Sequence, residues 1–134
     1  MKLLLDTNIC IYVIKQKPPE VLQRFTRFAV GELAVSSITA AELVYGVQKS
    51  RRPAQNLQAI EQFLLPLVVA EFDYAAAVVY GEVRAELERQ GRPIGALDTL
   101  IAAHALRLGV PLVSNNTKEF ARIARLQLQD WVVL

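Results

Sequence analysis

The sequence contains a single cysteine, Cys10, and a single histidine, His104, and this scarcity excludes several kinds of site. One thiol cannot form an internal disulfide, and one thiol with one imidazole cannot make a zinc cage. Long apolar runs are also missing, since none approaches the ~20 residues of a membrane-spanning helix. The start lacks the charged segment, apolar core and cleavage site of a secretory leader. We therefore expect an unprocessed protein of the cytoplasm with no membrane partner.

The chain also has little excess charge. Its formal net charge is only +2, so bulk charge does not indicate a nucleic-acid partner. The 134 residues fit one domain, 1–134, which can bury one sizeable core. A hydrophobic fraction of 53% is high enough to predict, besides that core, a face that is buried against a partner.

Apolar strands alternate with amphipathic helices along the whole sequence. We predict strands at 2–5, 33–35, 67–70, 111–114 and 126–134, and helices at 8–15, 20–28, 39–49, 54–65, 74–89, 97–108 and 115–122. Such alternation is typical of a parallel sheet covered by helices on both faces. The predicted fold is an α/β/α sandwich of three layers with a central, mostly parallel sheet.

Acids and amides stand at the starts of four predicted helices. Each has an ordinary structural explanation as a helix cap: Asp6 or Thr7 as an N-cap, Thr39 with Glu42 as a capping box, Asp98 in a first turn. The pair Asn116 and Glu119 resembles a capping box as well. However, parallel strands end at one edge of a sheet, where ligands bind in open α/β folds. The same edge can therefore collect the set Asp6, Glu42, Asp98, Asn116 and Glu119.

Carboxylates crowded at one edge repel one another unless a cation neutralises them. Oxygen ligands without a thiolate or histidine cluster suit Mg²⁺, with Mn²⁺ as the alternative ion. Two such ions ~4 Å apart hold a scissile phosphate and activate a water for in-line attack. The pattern thus predicts metal-dependent phosphodiester chemistry.

The motifs then resemble, in order and over nearly the whole chain, those of PIN-domain ribonucleases of the VapC toxin type, and most closely the enterobacterial type. The matching stretches are 5–8 (Leu-Asp-Thr-Asn), 37–43 with Tyr45 and Gly46, 91–95 with Asp98 and 100–102, and 115–120 with Asp130 and Trp131. The resemblance implies a toxin endoribonuclease that inhibits translation by cutting initiator tRNA in the anticodon stem-loop. It also implies a VapB-type antitoxin as partner, a homodimer of toxin chains, and DNA contact only through the antitoxin.

Carried over by position, the resemblance makes Asp6, Glu42 and Asp98 the metal ligands of an acidic triad. Asn116 stands where many relatives have a fourth acid, and its carbonyl brings no charge, so Glu119 is the nearby acid that can compensate. These five residues are the predicted catalytic set.

Substrate contacts are expected from a few local groups. Arg92 and Lys118 flank the predicted edge and can bind backbone phosphates, and Thr7 can hydrogen-bond a ligand or Asp6. Arg51 and Arg52 are further candidates, and each cation has the alternative explanation of a solvated surface charge. Two other functions stay open: a small Mg²⁺-dependent phosphohydrolase and a non-catalytic RNA-binding domain.

Overall fold

The computed structural model describes residues 1–132 and forms a parallel sheet between two layers of helices. The strands are β1 (Leu3–Leu5), β2 (Leu33–Ser36), β3 (Val68–Ala70), β4 (Leu112–Val113) and β5 (Leu128–Gln129). The helices are α1 (Thr7–Lys15), α2 (Pro19–Phe25), α3 (Ser37–Gln48), α4 (Pro53–Leu64), α5 (Tyr74–Arg89), α6 (Ala96–Leu108) and α7 (Thr117–Phe120). The strand order is β3-β2-β1-β4-β5, and every neighbouring pair is parallel.

The central strand β1 shows why the chain forms three layers. Successive side chains of a strand point to opposite faces of the sheet. Leu3 and Leu5 pack into a core with residues of α1 to α4, whereas Leu4 packs with residues of α5 and α6. All three leucines are buried, so the sheet is covered on both sides, and the predicted α/β/α sandwich is confirmed.

The predicted start of α3 was wrong. The spacing of Thr39 and Glu42 suggested a capping box, but the helix begins at Ser37, and the Ser36 hydroxyl accepts the Ile38 amide hydrogen at 3.0 Å. Thr39 is buried within the helix. Ser36 wins because it follows the last strand residues directly, so the chain turns into the helix without a loop.

The tail differs as well. The predicted strand at 126–134 is shortened to Leu128–Gln129, and residues 133 and 134 of that prediction lie outside the described part of the chain. Among the described helices, none combines the length and the apolar character needed to cross a membrane.

The sheet order places the polar strand ends together. β1 lies between β2 and β4, and the helices α1, α3 and α7 begin shortly after these three strands. Because all three strands are parallel, these helix starts share one edge of the sheet. Helix α6 packs against α3 and brings its own first turn, which contains Asp98, to the same region.

Candidate active site

Asp6 ends the central strand and caps helix α1. Its Oδ1 accepts the Ile9 backbone N–H at 2.8 Å, and only 4% of the residue is exposed. Burial raises the pKa of Asp6 to about 6, and the charges of Asp98 and Glu42 raise it further. The Ser114 hydroxyl and the Ile9 amide act in the opposite direction without cancelling the effect of burial. Asp6 is therefore both a structural cap and a carboxylate held in an unfavourable environment.

Glu42 is held by threonines rather than by its own helix start. The Thr7 hydroxyl donates to Glu42 Oε1 at 2.7 Å, and the Thr7 and Thr39 hydroxyls lie 3.1 Å apart. A hydroxyl has one proton to give. Thr39 therefore donates to Thr7 when Thr7 donates to Glu42, and this chain of hydrogen bonds fixes one carboxylate oxygen of Glu42.

Asp98 lies in the first turn of α6 and is half-buried. Its pKa is raised first by burial and then by the charges of Glu119 and Glu42. Glu119 is itself held at 3.2 Å by the Asn116 side-chain amide, and the Asn116 backbone N–H donates to the Ser114 hydroxyl. Asn116 thus supports Glu119 instead of capping α7, for which it makes no side-chain hydrogen bond.

The three predicted metal ligands, Asp6, Glu42 and Asp98, line one cleft of about 750 Å³. Among residues 1–132, no three acid, imidazole or thiol side chains converge closely enough to enclose an ion as placed. The donor set nevertheless fits a hard divalent cation in kind, because it consists of oxygen ligands. A cation would also relieve the repulsion that raises the pKa of Asp6 and Asp98.

The cations proposed from the sequence lie elsewhere on the surface. Arg92 and Lys118 are exposed and are not part of the cleft lining, and the same holds for Arg51 and Arg52. In the described part of the chain, Lys49 is the cation that lines the cleft. It stands one helical face with Glu42, a spacing visible in the sequence that we had not used.

Cys10 and His104 are packing residues. Cys10 is fully buried, and burial raises the pKa of its thiol, so it is not a nucleophile. His104 is buried, its Nδ1 lies 2.8 Å from the Ser36 hydroxyl, and its ring contacts Phe72 edge-on. Burial lowers the pKa of His104, which favours the neutral ring. The expectation that this lone histidine packs rather than ligates agrees with these contacts.

Replacing Thr7 tests the role of its hydroxyl. We expect Thr7→Val to reduce catalysis roughly 10-fold, since the lost hydrogen bond to Glu42 is charge-assisted and contributes about 1.5–3 kcal/mol. Thr7→Ser keeps the hydroxyl and should keep most of the activity. Cleavage rates of the two variants and thermal melts, run together, separate this effect from misfolding. Equal rates for the valine and serine variants would contradict it.

The cleft and its sheet edge define a class of protein that the comparisons identify. The family model described as "PIN domain" matches residues 3–126. The chain is 48% identical over 131 residues to the tRNA(fMet)-specific endonuclease VapC of Shigella flexneri, covering 98% of each chain. It is also 48% identical over 132 residues to Ribonuclease VapC2 of Haemophilus influenzae, covering 98% of this chain and 99% of the relative.

A solved structure agrees. The fold matches the structure of DNA-bound VapBC from Salmonella typhimurium with a TM-score of 0.92 at 44% identity, covering 98% of each chain. The chain therefore belongs to the PIN-domain family, and within it to the VapC ribonucleases.

Proposed function

We propose that this chain is a toxin endoribonuclease that holds Mg²⁺, or alternatively Mn²⁺, with Asp6, Glu42 and Asp98. One observation carries the proposal: acids from three separate elements line a single cleft, and the charges of two of them raise the pKa of the third. Such an arrangement is costly for folding and is typical of a functional site. When bound, the cation would neutralise phosphate charge and lower the pKa of an attacking water.

The side chains divide the remaining work. Thr7 orients Glu42, and Asn116 orients Glu119 beside Asp98. Asp98 accepts the proton of the attacking water, because its raised pKa makes it a stronger base and it is only half-buried. Asp6 acts in its ionised form, which predominates above a pH of about 6.

The substrate follows from the relatives. The Shigella flexneri relative is a tRNA(fMet)-specific endonuclease, and 48% identity over 98% of both chains supports initiator tRNA as the substrate here, cut in the anticodon stem-loop. Arg92 and Lys118 contribute backbone phosphate contacts outside the cleft. The products would block translation in the cytoplasm.

The partners follow from the VapBC structure in the same way. A VapB-type antitoxin neutralises the chain, two toxin chains pair, and DNA is contacted through the antitoxin. The whole chain acts as one domain in this assembly.

Purified chain, free of antitoxin, tests the proposal with total tRNA and Mg²⁺. Discrete fragments of initiator tRNA are expected, and EDTA should abolish them. Asp98→Asn should slow cleavage at least ~100-fold, since it removes a general base. Asp73→Asn is the matched control, because Asp73 also stands at a helix start but outside the cleft.

Two outcomes would refute the proposal. The first is the absence of cleavage with any divalent ion. The second is equal cleavage by Asp98→Asn and Asp73→Asn. Turnover of small phosphate esters without RNA cleavage would favour the phosphohydrolase function instead.

A further inference from the structure

One face of helix α3 continues from the acids to an exposed aromatic ring. Residues spaced three or four apart share a helix face. Ile38, Glu42, Tyr45 and Lys49 have this spacing, and all four line the cleft. Tyr45 therefore stands one turn from a predicted metal ligand.

Tyr45 is unusually exposed for a large apolar residue. It is 66% exposed, and Leu97, which precedes Asp98 on α6, is 48% exposed and lines the same cleft. The cleft thus has an acidic part bordered by apolar side chains from two different helices. The packing of the domain does not require these side chains, because neither belongs to its two buried cores.

Lys49 adds a charge to this ring. Its ammonium lies 4.9 Å from the centre of the Tyr45 ring. The pair alone is an ordinary cation–π contact between neighbouring helix turns, worth about 0.5–1 kcal/mol at an exposed site. Its position inside the cleft is what distinguishes it, since Lys49 is the one cation of the cleft lining within residues 1–132.

We propose that Tyr45 and Lys49 form a subsite for one unpaired nucleotide next to the scissile phosphate. The base stacks on the Tyr45 ring, and Lys49 contacts a phosphate joined to that nucleotide. Stacking on aromatic side chains and contact with cations are how single strands are held. Leu97 adds apolar surface for the same base. The proposal deepens the ribonuclease function proposed above and rests on it.

Binding without cleavage tests this subsite. The Asp98→Asn chain is titrated, in fluorescence anisotropy, into a fluorescein-labelled single-stranded oligouridine of about ten nucleotides and into an abasic analogue of the same length. Adding Tyr45→Leu should weaken binding to the oligouridine on the order of 10-fold and leave binding to the abasic chain nearly unchanged. Tyr45→Phe should bind as tyrosine does, because the ring is kept.

The structure supplies a matched control for the aromatic side chain. Tyr74 is 83% exposed at the start of α5 and does not line the cleft, so Tyr74→Leu should leave binding to both probes unchanged. Lys49→Gln should weaken both probes and reduce the slope of log affinity against log salt by about 1, as expected for one lost phosphate contact.

The inference is overturned if Tyr45→Leu binds oligouridine as its parent does, or loses affinity equally for both probes. It is also overturned if the variant changes the molecular mass of the assembly, with or without antitoxin, and not RNA binding; Tyr45 would then belong to a protein interface. Cleavage of initiator tRNA by the unmodified chain is measured separately. Failure of the ribonuclease function therefore shows as lost cleavage, and failure of the subsite shows as unchanged discrimination between the probes.

Discussion

Asp6→Asn is expected to abolish RNA cleavage while making the protein more stable. Loss of a negatively charged ligand from the cleft should reduce the cleavage rate on the order of 1000-fold or more, if metal-assisted attack is the mechanism. Asparagine is as good an N-cap as aspartate, and its carbonyl oxygen can accept the Ile9 amide hydrogen that Asp6 accepts now. The fold therefore loses no cap, and only the charge disappears.

The gain in stability follows from the pKa of Asp6. That pKa is raised from 3.8 to about 6, so the folded chain disfavours the ionised form. A shift of this size corresponds to roughly 3 kcal/mol of unfolding free energy. A raised pKa stabilises the fold fully below pH 3.8, and this contribution is lost as the pH rises through about 6. At pH 7.5 the Asn variant should thus be more stable by about 2–3 kcal/mol.

Urea unfolding of both proteins in EDTA, at several pH values, measures the difference. It should be largest above pH 7 and should vanish near pH 3.8, where Asp6 is protonated in both states. Asp73→Asn replaces an exposed cap aspartate and should show no comparable gain. A destabilised Asp6→Asn protein at pH 7.5 would show that the charge of Asp6 is stabilised by contacts that outweigh its burial.

The strand-end logic of the sequence explains why the candidate ligands were predictable. Three buried leucines followed by Asp6 indicate a central strand that ends on a carboxylate, and strand and helix alternation indicates one shared edge. Asp98 was harder to place, because α6 follows a loop and not a strand. The family resemblance assigned it, and the packing of α6 on α3 explains its position in the cleft.

The contacts between distant residues were beyond the sequence. Thr7 and Glu42 are separated by 35 positions, and no local pattern indicates that one donates to the other. The local pattern at Glu42 pointed to a capping box with Thr39, which is a competing use for the same two side chains. Register decides between them: β2 continues to Ser36, so α3 starts early and Thr39 turns toward Thr7.

Surface cations show the same limit. Arg92 and Lys118 are close in sequence to candidate site residues, whereas Lys49 is seven positions from Glu42. Two helical turns bring Lys49 onto the face of Glu42, while Arg92 lies in a loop outside the cleft lining. Proximity along the chain was therefore a poorer guide to the cleft than helical periodicity.

Mg²⁺ is expected to raise the melting temperature of the protein by an amount that depends on pH. A ligand present at 100 times its dissociation constant stabilises the folded state by about 2.7 kcal/mol. For a domain of this size, that corresponds to an increase on the order of 10 °C. Asp6→Asn should show little of this increase, because the cleft then holds one negative charge fewer.

The pH dependence distinguishes binding at the cleft from a general salt effect. The cation requires ionised Asp6, and protons compete for that carboxylate below a pH of about 6. Apparent affinity should therefore decrease by up to about 10-fold per pH unit between pH 6 and 5, and the increase in melting temperature should shrink with it. Thermal melts at pH 5 and pH 7.5, with Mg²⁺ or with NaCl of equal ionic strength, measure this. An equal Mg²⁺ effect at both pH values, or in Asp6→Asn, would mean that the ion binds away from Asp6.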